Sequence, residues 1–152
     1  MRKFMIVVDE TPECMNALRF AARRASKTGG GVVMLYVIAP EEFQHWVGVG
    51  EVMRAEAREA AEERLATLSH EVETLAGVLP EFVIREGVAR DEILAQIKDD
   101  PEIGVLVLGA GDSSEGPGPL VTALAGRMSG AMSVPVTIVS GNLSADQIDA
   151  VC

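Results

Sequence analysis

Apolar residues gather in five short clusters along the chain, and each is followed by a stretch with helical spacing. The first cluster, Phe4-Met-Ile-Val-Val8, is apolar at every position before Asp9 ends it. An unbroken run of this kind predicts a parallel strand covered on both faces. The runs Val32–Ile38, Glu81–Glu86, Ile103–Gly109 and Val134–Val139 predict four more strands. The first intervening helix opens at Thr11-Pro12-Glu13, with Thr11 as a capping hydroxyl, Pro12 in the first turn and Glu13 at the positive end of the dipole. Cys14, Leu18, Ala21, Ala22 and Ala25 form its narrow buried face, and Gly29-Gly30-Gly31 stops it. Arg19, Arg23, Arg24 and Lys27 collect near its end and are expected to lie in solvent, complementing the dipole.

The second helix is expected from about Glu51 to Ala76, with Leu65, Leu68, Val72 and Leu75 inward and an acidic outer face. A third runs near Val88–Lys98, and Asp99–Glu102 breaks it. The fourth is expected over about Leu120–Ala131. Ser144 is placed to cap a short helix over Ala145–Val151. The connection Ala39–Gly50 holds the only tryptophan, in His45-Trp46, and is expected to pack down on the body or cover something.

Strict alternation of strand and helix predicts an α/β fold, an open five-stranded parallel sheet with helices on both faces. Right-handed crossovers leave few topologies, and ligands in such sheets bind beyond the carboxyl ends of the strands at the switch point. Two strand ends are chemically distinctive: Asp9-Glu10-Thr11, and the Gly/Pro/Ser-rich loop Gly109–Pro119. Glycines let a backbone approach a ligand closely, and successive N–H groups can cradle phosphate. Ser113, Ser114 and Thr122 add hydroxyls. The loop has no lysine and no G-x-x-x-x-G-K-[ST] pattern, and Ser114 stands where G-x-G-x-x-G needs its third glycine. Asp112 and Glu115 would repel a polyphosphate unless magnesium bridged them. A rigid crossover loop and a phosphate site account for these residues equally well.

Charge narrows the partners. The chain has 152 residues, with 13 basic and 23 acidic side chains, giving a net charge of −10. That length suits one domain with a core of its own. The acidity argues against nucleic acid and against anionic lipid, both of which need clustered positive charge. No apolar run approaches the roughly 20 residues of a membrane span. The basic and apolar start resembles a secretion signal, but Asp9 and Glu10 end its apolar part too early, so it is expected to be a strand. Cys14 and Cys152, far apart, fit a reducing cytoplasm, and no metal-ligand spacing surrounds His45 or His70.

The pattern as a whole resembles the universal stress protein family. The resemblance rests on Ile6-Val-Val-Asp9 followed by Thr11-Pro12, on Leu35-Tyr-Val37, on Val105-Leu-Val-Leu-Gly109 leading into the glycine-rich loop, and on Val134-Pro-Val-Thr-Ile-Val139. It covers the domain 1–140 and leaves 141–152 as a tail. It implies strand order 3-2-1-4-5, a homodimer paired through the last strand, and, in many members, ATP with magnesium held by a loop G-x-x-G, nine residues, G-[ST]. Carried over, Asp9 would accept from ribose or adenine, Val37 would touch the adenine, and Gly109 would admit the phosphates. Thr11, Gly111, Gly118 and Thr122 complete the candidate binding residues. Asp112 replaces the second glycine of the pattern, and Thr122-Ala123 replaces G-[ST].

Three function classes follow. One is a regulatory protein of the stress response that binds an adenine nucleotide (ATP or AMP) at the ends of strands 1 and 4. Another is an interaction module of the same fold without a nucleotide, working through dimerisation and partner binding. The third, an ATP hydrolase, has least behind it. Hydrolysis needs a base and charge stabilisation on the phosphates; Asp9 or Asp112 could serve as the first, and only Arg127 stands near the loop for the second. Cys14, on the apolar face, is expected to be buried. Pro135 marks the last strand as an edge, and Val136, Ile138 and Val139 are expected to line it.

Overall fold

The computed structural model describes residues 2–40 and 50–152. The connection carrying Phe43, His45 and Trp46 therefore lies outside the described residues. Five parallel strands, β1 (Lys3–Val8), β2 (Gly31–Ile38), β3 (Glu81–Glu86), β4 (Ile103–Ala110) and β5 (Val136–Ser140), form one sheet in the order β3-β2-β1-β4-β5. The side on which successive strands are added switches between β1 and β4, which pair in parallel with Ile6 opposite Val107. The helices are α1 (Glu13–Thr28), α2 (Gly50–Ala76), α3 (Ala89–Asp99), α4 (Pro119–Thr122) and α5 (Ala145–Val151).

The unbroken apolar strands are explained by two cores. Alternate side chains of β1 point to opposite faces. Ile6 and Val8 pack with Leu18, Leu65, Leu68, Val107 and Ile148 under α1, α2 and α5. Met5 and Val7 pack with Leu35, Ile93, Leu106, Leu108 and Leu124 under α3 and the segment after β4. Neither core leaves a buried side-chain nitrogen or oxygen without a partner among the described residues.

Four local expectations are corrected. The single helix expected over Leu120–Ala131 is broken into α4, a π-helical turn Ala123–Arg127 and a 3-10 turn Ser129–Ala131. Gly126, at φ −101° and ψ −105°, leaves the helical region, and the hydrophobic spacing alone did not register that break. Thr11 does not cap α1: Pro12 holds the cap position with no side-chain bond, and the Thr11 hydroxyl donates to Asp9 Oδ1. A charged carboxylate is the stronger acceptor and takes the proton.

The basic residues of α1 are not a free solvated face. Arg19 clasps Asp149 of α5 with both nitrogens, at 2.8 and 2.6 Å, Arg23 adds a bond at 3.2 Å, and Arg24 donates to the Cys152 carbonyl. The Arg19 guanidinium holds the Asp149 carboxyl below the usual aspartate range. Val139 is not on an exposed edge: it is buried among the α1 residues, while its neighbour Ile138 is exposed. The tail does form α5, with the Ser144–Gln147 capping box the sequence allows.

Candidate functional site

The switch point lies where β1 and β4 end side by side. Both chains leave the sheet there in opposite directions, so a crevice opens between their following segments. It has a volume of about 230 Å³. Val7 and Leu108 give it an apolar floor, Asp9, Thr11 and Glu13 one wall, and Pro117–Val121 the other. Asp9, Thr11, Gly109 and Gly118 are thus brought together. Val37 packs into the core beneath α3, Gly111 lies inside the loop, and Thr122 faces a neighbouring recess.

Asp9 is held in place by its own turn. Its Oδ1 accepts from the Thr11 backbone N–H at 2.9 Å and from the Thr11 hydroxyl, a local bond typical of Asx turns. Arg64 of α2 donates to the Asp9 carbonyl at 3.3 Å from the other side of the sheet. The second carboxylate oxygen, Oδ2, takes no hydrogen bond among the described residues. Asp9 therefore both fixes the start of α1 and keeps a free acceptor at the crevice.

Gly109 has a structural reason to be glycine. A Cβ there would stand 2.7 Å from the Glu13 carbonyl carbon and closer still to its oxygen. The first turn of α1 packs directly on this strand end. This packing alone requires glycine, whether or not a ligand approaches.

Three of the loop's backbone N–H groups are paired within it. Gly111 N–H donates to Pro117 O, Gly116 N–H to Ser113 O, and Glu115 N–H to the Ser113 hydroxyl, at 3.1, 3.1 and 3.3 Å. Gly118 turns the chain into α4 at φ +105°, a backbone that side chains rarely adopt. Glu13 Oε1 lies 3.4 Å from where a Cβ on Gly111 would be. A carboxylate thus sits beside Gly111, whose own N–H is already paired with Pro117. Glu13, which the sequence offered only as a dipole partner, is a wall of the crevice. Its position depends on contact across the sheet, which no local spacing encodes.

Cys14 is buried, with its thiol directed at the Val7 carbonyl 3.9 Å away, and burial pushes its pKa up. No group of three or more His, Cys, Asp and Glu residues placed to hold a metal occurs among the described residues. None of the described helices is long and apolar enough to cross a membrane.

An open parallel sheet of order 3-2-1-4-5, with a mixed polar and apolar crevice at its switch point, defines a Rossmann-like α/β protein. A family model, the universal stress protein family, matches residues 1–140, and the chain belongs to that family. Solved structures share the fold. The universal stress protein UspA from Lactobacillus plantarum superposes with a TM-score of 0.73 at 20% identity, covering 91% of this chain and 97% of that one. A universal stress protein in complex with cAMP gives 0.64 at 13% identity, covering 91% and 96%. The Archaeoglobus fulgidus universal stress protein in complex with dAMP gives 0.57 at 16% identity, covering 91% and 98%. No curated protein matches the chain.

Proposed function

We propose that this universal stress protein acts in the cytoplasm as a regulatory protein of the stress response that binds an adenine nucleotide in the crevice between β1 and β4. The observation that carries the reading is the free Oδ2 of Asp9 beside an apolar floor. A fixed carboxylate oxygen accepts hydroxyl or amino donors, and Val7, Leu108 and Leu120 offer a surface for a flat base. The Glu13 carboxylate beside Gly111, with Asp112 and Glu115 in the same loop, favours a ligand with few phosphates over magnesium–ATP. AMP and cAMP are consistent with that preference, and two relatives of the same fold were crystallised with cAMP and dAMP.

Calorimetry tests this directly. AMP is expected to give a saturable heat and magnesium–ATP a weaker one. Asp9→Asn, which keeps the Thr11 turn but loses the negative acceptor, is expected to bind AMP at least about tenfold more weakly. Absence of heat with every adenine nucleotide, from protein that melts normally, would overturn the proposal.

A homodimer through β5 belongs to the same reading. This strand is an edge, with Ile138 39% exposed on its outer side. Unpaired edge groups next to an exposed aliphatic side chain suit a two-fold copy of the same strand. Light scattering is expected to give a dimer for the wild type and a monomer for Ile138→Lys. A monomeric wild type would remove the dimer from the proposal.

The acidic side chains at the loop, Glu13, Asp112 and Glu115, also support a second reading, an interaction module that uses the dimer and no nucleotide. A dimer with no heat from any adenine nucleotide would favour it.

A further inference from the structure

The same end of the sheet carries a recess whose charge runs against the rest of the molecule. It has a volume of about 380 Å³ and is lined by Arg90 and Arg127 together with Pro119, Thr122, Ala123 and Met128. Arg90 is the second residue of α3, and Arg127 closes the π-helical turn just after the break at Gly126. The two arginines come from elements on either side of the recess and meet in one wall system of a chain carrying −10 overall.

Their pairing sets them apart. Arg19, Arg23, Arg64 and Arg85 each reach a carboxylate on another element. Arg127 makes no hydrogen bond or ion pair among the described residues. Arg90 has only a long contact, 3.5 Å, to its neighbour Asp91, with both side chains half or more exposed. Two guanidinium groups sharing a recess without a carboxylate between them repel each other, and an anion held by both relieves that repulsion. Thr122 contributes little, because its hydroxyl donates to the Gly118 carbonyl at 3.0 Å.

The recess is also connected to the crevice. A third hollow of about 450 Å³, mostly apolar, shares Arg90, Pro119 and Ala123 with the arginine recess. It shares Pro119 and Leu120 with the crevice of Asp9. The three hollows therefore lie next to one another, with an acceptor at one end of the row, an apolar middle and two cations at the other.

We propose that Arg90 and Arg127 are the phosphate-binding residues of this protein, taking the phosphoryl group of a nucleotide whose nucleoside part lies toward Asp9. This rests on the nucleotide reading above and adds to it a site for the charge. The phosphate is bound by side chains on α3 and the π-helical turn, and not by the backbone of the glycine loop. Guanidinium forks suit phosphate oxygens, which accept two parallel N–H bonds.

Two probes separate this from the nucleotide reading. Inorganic pyrophosphate, titrated at physiological salt and followed by amide chemical shifts, is expected to move Arg90, Arg127 and Met128 saturably. It should leave residues 111–116 in place, and Arg90→Gln/Arg127→Gln should abolish the response. In calorimetry each single substitution is expected to weaken AMP about tenfold, while adenosine, which has no phosphate, binds wild type and Arg127→Gln equally. Both arginines are exposed, so unchanged melting is expected for the variants. AMP binding at full affinity in the double variant, or pyrophosphate shifts confined to the glycine loop, would overturn the assignment while leaving the nucleotide reading intact. Pyrophosphate filling the recess with no heat from AMP or adenosine would overturn the nucleotide reading and reduce the arginines to a plain anion site. Silence from both probes would remove both.

Discussion

Gly109→Ala is expected to lower the melting temperature of the ligand-free protein by about 9 °C, a loss of about 3 kcal/mol at 2–4 °C per kcal/mol for a chain of this size. The reason is steric. The new methyl group would press on the Glu13 carbonyl, which is backbone and cannot rotate aside. Relief requires α1 to lift from β4, and α1 carries Leu18, Ala21 and Ala22 of the larger core. Gly130→Ala is the control: nothing lies within 4 Å of its Cβ position, and a change within about 0.5 kcal/mol is expected. Differential scanning calorimetry without ligand reads the result. If Gly109 served only to admit phosphate, the substitution would leave melting unchanged and weaken binding alone, so equal melting would refute the packing role.

Lys3→Met is expected to cost about 2 kcal/mol, a fall of about 6 °C in melting temperature. Lys3 is 8% exposed at the amino end of β1, an unusual place for a lysine. Its ammonium bonds Glu81 of β3 at 2.8 Å and Asp100 at 3.0 Å, joining one edge of the sheet to the turn that leads into β4. These carboxylates raise its pKa well above the ordinary lysine value. A folded pKa above the unfolded one gives stability that is complete below the ordinary lysine range. That stability is lost as pH rises through the folded value. The deficit of Lys3→Met should therefore stay constant from neutral pH to about pH 10 and shrink only beyond it. A deficit already gone at pH 8 would show that the ion pair is not its source.

The glycine loop shows how one sequence feature can mislead about chemistry. Gly109 and Gly111 sit where a phosphate site would want them, yet the first turn of α1 and the Glu13 side chain occupy that space. The acidity of the loop, Asp112 and Glu115, already pointed the same way from the sequence. The structure adds that the N–H groups of Gly111, Glu115 and Gly116 are taken by Pro117 and Ser113. The arginine recess puts two cationic side chains at the same end of the sheet as the crevice, where a phosphate could find a charge partner.

The sequence by itself determined the class of the fold. Strands buried on both faces must be apolar throughout, and helices must repeat near every third or fourth residue. The succession of five strands and their covering helices along the chain was therefore legible, as were the capped tail helix and the edge position implied by Pro135, while the strand order in the sheet came from the family resemblance. Asp9 at the end of β1 was legible too, because a carboxylate that ends an apolar strand stands out locally. Tertiary structure alone decided everything that depends on two distant segments meeting. Arg19 and Asp149 lie 130 positions apart and become partners only when α5 docks on α1. Lys3 finds Glu81 and Asp100 only through the sheet. Glu13 reaches the loop, and Arg90 meets Arg127, only because β3, β1 and β4 end at the same edge. Hydrophobic periodicity reports which side of an element is buried, and it carries no information on which polar side chains of different elements will share a recess.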